Sequence, residues 1–136
     1  MASKARKPDT YAARRERLAR QMLAATGQVT LGKKNSNLFR DRDRASRQRL
    51  DVHDFNHVLQ VDARSGWADA EGMTSYETLV LSTLACGTMP AVVPQLKTIT
   101  LGGAVAGVGI EATSFSQGLV HEGVLEIDIL AGDGKI

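Results

Sequence analysis

The chain has 136 residues, 43% hydrophobic and only 4% aromatic, with a formal net charge of +2. That length holds one small domain or a piece of a larger one, with an aliphatic core, and no run of about 18 apolar residues is present to span a membrane. Cys86 is the single cysteine, which excludes an internal disulfide and suits a reducing compartment such as the cytoplasm.

The net charge conceals an asymmetry. Lys4, Arg6, Lys7, Arg14, Arg15, Arg17 and Arg20 face only Asp9 and Glu16, and a second basic run follows at Arg40, Arg42, Arg44, Arg47 and Arg49. Such runs suit phosphates, an anionic membrane surface or nucleic acid. A solvated helix face accounts for the first run better, so no nucleic acid is expected as a partner, while peripheral membrane contact stays open. Residues 1–8 read as a basic tail. From Pro8 and Asp9 the spacing predicts a helix with Tyr11, Leu18, Met22 and Ala25 on one stripe and Gly27 as its stop. Gln28-Val29-Thr30-Leu31 predicts a short strand.

Lys33-Lys34-Asn35-Ser36-Asn37-Leu38-Phe39-Arg40 is a polar, basic turn. Asn and Ser favour loops whatever their function, but two lysines, two amides and a hydroxyl also suit one jaw of a diphosphate site. Residues 41–49 read as an exposed connection. Short strands follow at 50–52 and 57–61, the latter turning through Asp62-Ala63-Arg64-Ser65-Gly66 into a hairpin partner at 67–71. His53 and His57 are four apart, but a metal pair at that spacing needs a helix, and this segment reads as extended; no metal is expected. Thr74-Ser75-Tyr76-Glu77 fits a capping box. It opens a helix with Tyr76, Leu79, Val80, Thr83 and Leu84 on one face and Gly87 as its left-handed end. Cys86, with no adjacent base, reads as packing rather than as a nucleophile.

Two prolines keep 88–94 extended. They deliver the chain to Pro94-Gln95-Leu96-Lys97-Thr98-Ile99-Thr100-Leu101-Gly102-Gly103-Ala104-Val105-Ala106-Gly107-Val108-Gly109-Ile110, followed by Glu111, Thr113, Ser114 and Ser116. Bare backbone at Gly102, Gly103, Gly107 and Gly109, beside short hydroxyls, suits phosphate oxygens. Close helix approach or simple turns are the competing explanations. Residues 107–112 match the G-x-G-x-x-A dinucleotide fingerprint with Asp128 beyond, but the strand-to-helix setting is missing. A short helix is expected over 100–106, its N-terminal amides facing an anion. Residues 124–130 alternate and predict a half-buried strand. Gly132-Asp133-Gly134 then predicts a turn whose returning strand is missing, which implies a fragment or a chain that depends on a second piece.

Lys34-Asn35-Ser36-Asn37-Leu38-Phe39-Arg40, the helix from Thr74, Pro94-Gln95-Leu96-Lys97-Thr98-Ile99-Thr100-Leu101-Gly102-Gly103, Gly107-Val108-Gly109-Ile110-Glu111, Gly118-Leu119 and Leu130-Ala131-Gly132-Asp133-Gly134 together resemble the FAD-linked oxidases of the p-cresol methylhydroxylase and vanillyl-alcohol oxidase (PCMH) type, nearest the delta(24)-sterol reductase branch. The resemblance implies an incomplete α+β PCMH-type FAD-binding fold over 28–136, after a basic tail and helix over 1–27. Ser36 and Asn37 would then lie in a first diphosphate loop, and Pro94, Gln95, Thr100, Leu101, Gly102, Gly103, Gly107, Gly109, Ile110 and Ser114 along a second. The first loop lacks the histidine that tethers flavin in many relatives, which implies noncovalent FAD. Substrate and catalytic residues are not carried over, because the cap domain and the rest of the flavin domain have no counterpart here. The competing readings are a truncated module without turnover and a basic phosphate- or nucleic-acid-binding protein.

Overall fold

The computed structural model describes residues 10–33 and 47–136. Among them, residues 10–33, 47–52 and 128–136 form one compact unit and 53–127 a second.

In the first unit, Thr10 has extended backbone (φ −69, ψ 156) and its Oγ1 accepts the Ala13 amide, so α1 (Tyr11–Leu23) starts there. The expected stripe of Tyr11, Leu18, Met22 and Ala25 is half-buried. Arg14, read as part of a solvated face, is buried on the same side. The helix ends at Ala24, before Gly27. Strand β1 (Val29–Leu31) pairs in parallel with β2 (Gln48–Leu50), so β2 includes two residues read as connection. The Gly32 amide donates to the Leu50 carbonyl at 2.7 Å, and a Cβ on Gly32 would stand 2.7 Å from that same oxygen. Leu50 and Val52 are buried. The glycine turn forms as expected: Gly134 has φ 77 and donates to Ala131 O, and the Ala131 amide donates to Lys135 O.

The strand expected over 124–130 is absent. Leu125 is 85% exposed, and Ile127 and Ile129 are exposed as well. Alternation alone does not make a strand: a ladder needs a partner, and none pairs with this segment among the described residues.

The second unit begins with the hairpin predicted from its turn residues. Strand β3 (Val58–Asp62) runs antiparallel to β4 (Trp67–Ala70), with Gly66 at φ 73 in the turn. Helix α2 (Tyr76–Leu84) follows. Its cap is Ser75, one residue later than expected: Ser75 Oγ accepts the Thr78 amide at 3.2 Å. Thr74 is fully buried, and its hydroxyl satisfies itself inward by donating to His57 O at 3.0 Å. Glu77 has turned to Lys97, at 2.7 Å, instead of closing a box. Tyr76, Leu79 and Thr83 are buried, whereas Leu84 and Cys86 are exposed. Cys86 therefore does not pack as expected.

Beyond the extended 88–94 stretch come α3 (Leu101–Ala106), the short α4 (Ser114–Gln117) and a 3-10 turn (Val120–Gly123). Helix α4 escaped sequence reading because its four residues are too few for a periodic pattern. Tyr76, Leu79, Val92, Ala104 and Val120 form the core, lined by Val58, Ala70, Val93, Ile99, Leu101 and Val105. With one aromatic at its centre, this core is aliphatic, as composition required.

Candidate functional site

The glycine segment is held in place by the loop that precedes α2. Ser75 and Thr100, the N-caps of α2 and α3, form an antiparallel bridge. Around it the Tyr76 amide donates to Ile99 O, the Glu77 amide to Lys97 O, the Leu101 amide to Thr74 O and the Gly102 amide to Gly72 O, all at 2.8–3.0 Å. The two helices thus start side by side. At Gly102 the missing side chain is required: a Cβ would lie 2.9 Å from Gly72 O and 3.3 Å from Gly72 Cα.

This arrangement corrects one expectation. The first amides of α3 do not face an anion. Leu101 and Gly102 donate to the preceding loop, Gly103 to Thr100 Oγ1 at 3.2 Å and Ala104 to Thr100 O at 2.9 Å. A main-chain donor already satisfied within the fold adds nothing to an anion beyond the weak field of a six-residue helix. The surface against which Gly102 lies is the chain's own Gly72.

The far end of α3 differs. The Gly107 amide donates to Gly103 O, Val108 to Val105 O at 3.3 Å, and Gly109 to Ala104 O at 2.9 Å, after which Gly109 O accepts the Val120 amide at 3.0 Å. A Cβ on Gly109 would meet Val120 Cγ2 at 3.0 Å. Gly107 and Gly109 close a helix here and do not open one, so the dinucleotide fingerprint lacks the setting it needs. Ser114 Oγ accepts the Glu111 amide at 3.0 Å, which leaves its own O–H to donate. Thr113 Oγ1 donates to Ala91 O at 2.9 Å. Ile110 is 72% and Phe115 91% exposed.

The sequence-derived site residues accordingly fall in two groups on the second unit. Pro94, Gln95, Thr100, Leu101, Gly102 and Gly103 stand at the start of α3; Gly107, Gly109, Ile110 and Ser114 stand at its end. The groups adjoin along the main chain, where the Gly107 amide donates to Gly103 O at 2.9 Å, and the six residues of α3 span about 9 Å in all. Pro94 and Thr100 are buried, whereas Gln95, Gly107 and Ile110 are exposed. Ser36 and Asn37 lie outside the described residues.

Two titratable groups are placed as sequence reading did not foresee. The Glu71 side chain is 1% exposed, its Oε2 accepting the His57 main-chain amide at 2.9 Å and lying 2.6 Å from His57 Nδ1. The hairpin expected over 57–71 brings the two residues opposite each other, but the burial of the Glu71 carboxylate against His57 shows only in the folded chain. Burial pushes the Tyr76 phenol above its ordinary pKa, and the negative charge of Glu111 adds to the rise.

The model of the FAD binding domain family matches residues 17–136, which include the whole glycine segment. The chain belongs to this family. An FAD binding domain of the PCMH type is an α+β fold, in agreement with the small sheets and short helices described above. Delta(24)-sterol reductase of Pisum sativum is 29% identical over 96 residues, and that of Arabidopsis thaliana 27% over 96 residues. Each match covers 71% of this chain and 17% of the relative, so the domain spans about a sixth of the length of these proteins. No solved structure matches it. Among the described residues no helix is long and apolar enough to cross a membrane.

The residues at the end of α3 have chemistry that suits a flavin nucleotide. There the Ser114 hydroxyl has a proton to give, Gly107 is exposed, and Ile110 offers an apolar surface. FAD supplies the electron-transfer chemistry when bound; the chain's own task is to hold and orient it.

Proposed function

We propose that this chain holds FAD noncovalently, by its diphosphate, as the flavin-binding portion of an oxidoreductase resembling the sterol reductases. The family match over 17–136, with the ordered glycine segment inside it, carries the reading. The two relatives named Delta(24)-sterol reductase support the reaction class. Within it, residues 28–136 are the flavin-binding part, and 1–27 are an N-terminal tail and helix. The first loop, 33–40, has no histidine to form a flavin bond, which supports noncovalent retention, and the single Cys86 suits a reducing compartment such as the cytoplasm.

Ser36 and Asn37 approach the diphosphate from that loop. From the second unit the contacts come from Pro94, Gln95, Thr100, Leu101, Gly102 and Gly103 on one side and Gly107, Gly109, Ile110 and Ser114 on the other. Residues strung along the length of α3, about 9 Å over its six residues, suit an extended dinucleotide. The donors that contribute are the exposed Gln95 carboxamide and the Ser114 hydroxyl, since the early α3 amides are engaged elsewhere.

The test is direct. The purified chain is expected to carry visible flavin absorbance, and denaturation followed by filtration should free the flavin from the polypeptide. Flavin that stays on the chain refutes noncovalent binding, and a chain that takes up no FAD refutes the assignment. Gln95→Ala, at an exposed position, should weaken FAD binding about tenfold, the loss of one hydrogen bond to a charged group, with thermal stability unchanged.

A further inference from the structure

Among the described residues Glu71 is the one acidic residue that is buried. A carboxylate kept from water is costly unless its hydrogen bonds are made inside the fold. Here His57 makes two of them, with its main-chain amide at 2.9 Å and with Nδ1 at 2.6 Å from the same oxygen. A carboxylate has no proton to give, so Nδ1 is the donor.

What this buried group holds is the short stretch 71–74, which runs between two neighbours. On one side the Glu71 amide donates to His57 O at 2.9 Å, the Met73 amide to Phe55 O at 2.8 Å and Thr74 Oγ1 to His57 O at 3.0 Å. On the other side Gly72 O accepts the Gly102 amide and Thr74 O the Leu101 amide, both at 2.8 Å. The stretch therefore hands the position of the hairpin to the first turn of α3. There is no slack at the join, since a Cβ on Gly102 would already stand 2.9 Å from Gly72 O. Glu71 and Thr74 are the buried members of the stretch, and both are bonded to His57.

We propose that Glu71 is a positioning residue for the flavin site: its carboxylate, gripped by His57, fixes the loop against which α3 starts, and so sets where the residues along that helix stand. Glu71 acts through Gly72 and Gly102 and does not itself reach the cofactor. The inference rests on the reading above that FAD lies along α3.

The grip can be loosened from outside, because the His57 side chain is 53% exposed and trimming it opens no cavity. The experiment compares His57→Ala, His57→Asn and Gly87→Val with the unsubstituted 136-residue chain. FAD titration, thermal unfolding and amide hydrogen exchange of FAD-free protein are the readouts. His57→Ala should weaken FAD binding about tenfold, the loss of one hydrogen bond to a charged group, and should speed exchange of the Leu101 and Gly102 amides by a similar factor. In His57→Asn the side-chain amide can donate from nearly the place of Nδ1, so both readouts should return close to those of the parent. Gly87→Val strains the far end of α2, at φ 74 with no atom within 4 Å of a Cβ, and touches none of these bonds. It should lower Tm and leave FAD affinity unchanged.

Unchanged FAD affinity or unchanged Leu101 and Gly102 exchange in His57→Ala overturns the proposal. So does a His57→Asn chain that binds as weakly as His57→Ala. A Gly87→Val chain that loses affinity as well would overturn it too, since lost stability would then be a sufficient cause. Failure of the unsubstituted chain to take up FAD overturns the flavin reading and this proposal with it, and is recognised from that titration alone.

Discussion

Helices α2 and α3 start and finish with the same hydrogen bonds, yet they are built from opposite kinds of residue. Each opens on an extended hydroxyl residue, Ser75 or Thr100, whose oxygen accepts the third helical amide. Each closes with a donor pair of the Schellman type: Gly87 to Leu84 O and Thr88 to Thr83 O in α2, Val108 to Val105 O and Gly109 to Ala104 O in α3. Inside these shared ends, α2 has no glycine, carries apolar residues at Tyr76, Leu79, Val80, Leu81 and Leu84, and finishes on a left-handed glycine. Helix α3 has two glycines in its first turn and finishes on a left-handed valine. Where folding alone selects residues, as in α2, local rules suffice. At Gly102 they are broken, and the close approach to Gly72 selects instead.

The largest effect that separates these causes is expected at Gly102. Its Cβ would stand 2.9 Å from a backbone oxygen that has no side-chain freedom to retreat. Gly102→Ala should therefore destabilise the chain by about 1–3 kcal/mol, the usual range for forced overpacking, measured by denaturant unfolding. If Gly102→Ala proves neutral, the glycine is not there for the approach to Gly72, and the contrast with α2 loses half its basis.

That contrast also explains which parts of the molecule could be read from sequence. The hairpin, α2 and its Gly87 end, and the short α3 each carry a local signal: turn residues between strands, a hydroxyl before an apolar run, a glycine after it. Those signals are physical causes, so the structure follows them. What failed was information held by a partner. Thr74 and Ser75 both qualify as caps on sequence, and only the nearby His57 carbonyl decides that Thr74 turns inward. Residues 124–130 have the alternation of a strand but nothing to pair with among the described residues. At the candidate site, the family and the glycine segment were evident, whereas the engagement of the α3 amides by Thr74 and Gly72 was not, because it depends on loops about 30 residues earlier. Val108 went unnoticed because its side chain is ordinary; only its φ is not.

The left-handed end of α2 gives a second way to test the comparison. Gly87 has φ 74, with no neighbouring atom within 4 Å of the position of a Cβ. Gly87→Val thus adds no clash beyond its own backbone, and should cost about 1–2 kcal/mol, the price of a left-handed L-residue. If the cost is negligible, left-handed valine is not strained in this setting, and the contrast between Gly87 and Val108 carries nothing.

The two caps should be nearly equivalent. Ser75→Ala and Thr100→Ala are each expected to lose about 1 kcal/mol, measured by thermal or denaturant unfolding. Glu77→Ala should lose less, because its exposed ion pair with Lys97 contributes at most a fraction of that. A larger loss from Glu77→Ala than from Ser75→Ala would restore the capping box that the structure replaces.

The smallest expected effect lies between the helices, where Tyr76 in the first turn of α2 meets the charge of Glu111 beyond α3. Burial is the main cause that lifts the Tyr76 pKa above its ordinary value, and Glu111 adds to it. The unfolded chain therefore releases this proton first, at about pH 10. Between that pH and the raised value in the folded chain, the folded state binds more protons, so stability falls as pH rises. Below about pH 10 both states keep the proton and the group contributes no slope. Tyr76→Phe should remove this alkaline decline while leaving the stability curve at neutral pH parallel to that of the parent chain. Glu111→Gln should only reduce it, since the burial that dominates the shift would remain. A Glu111→Gln curve as flat as that of Tyr76→Phe would mean that charge, rather than burial, joins the end of α3 to the start of α2.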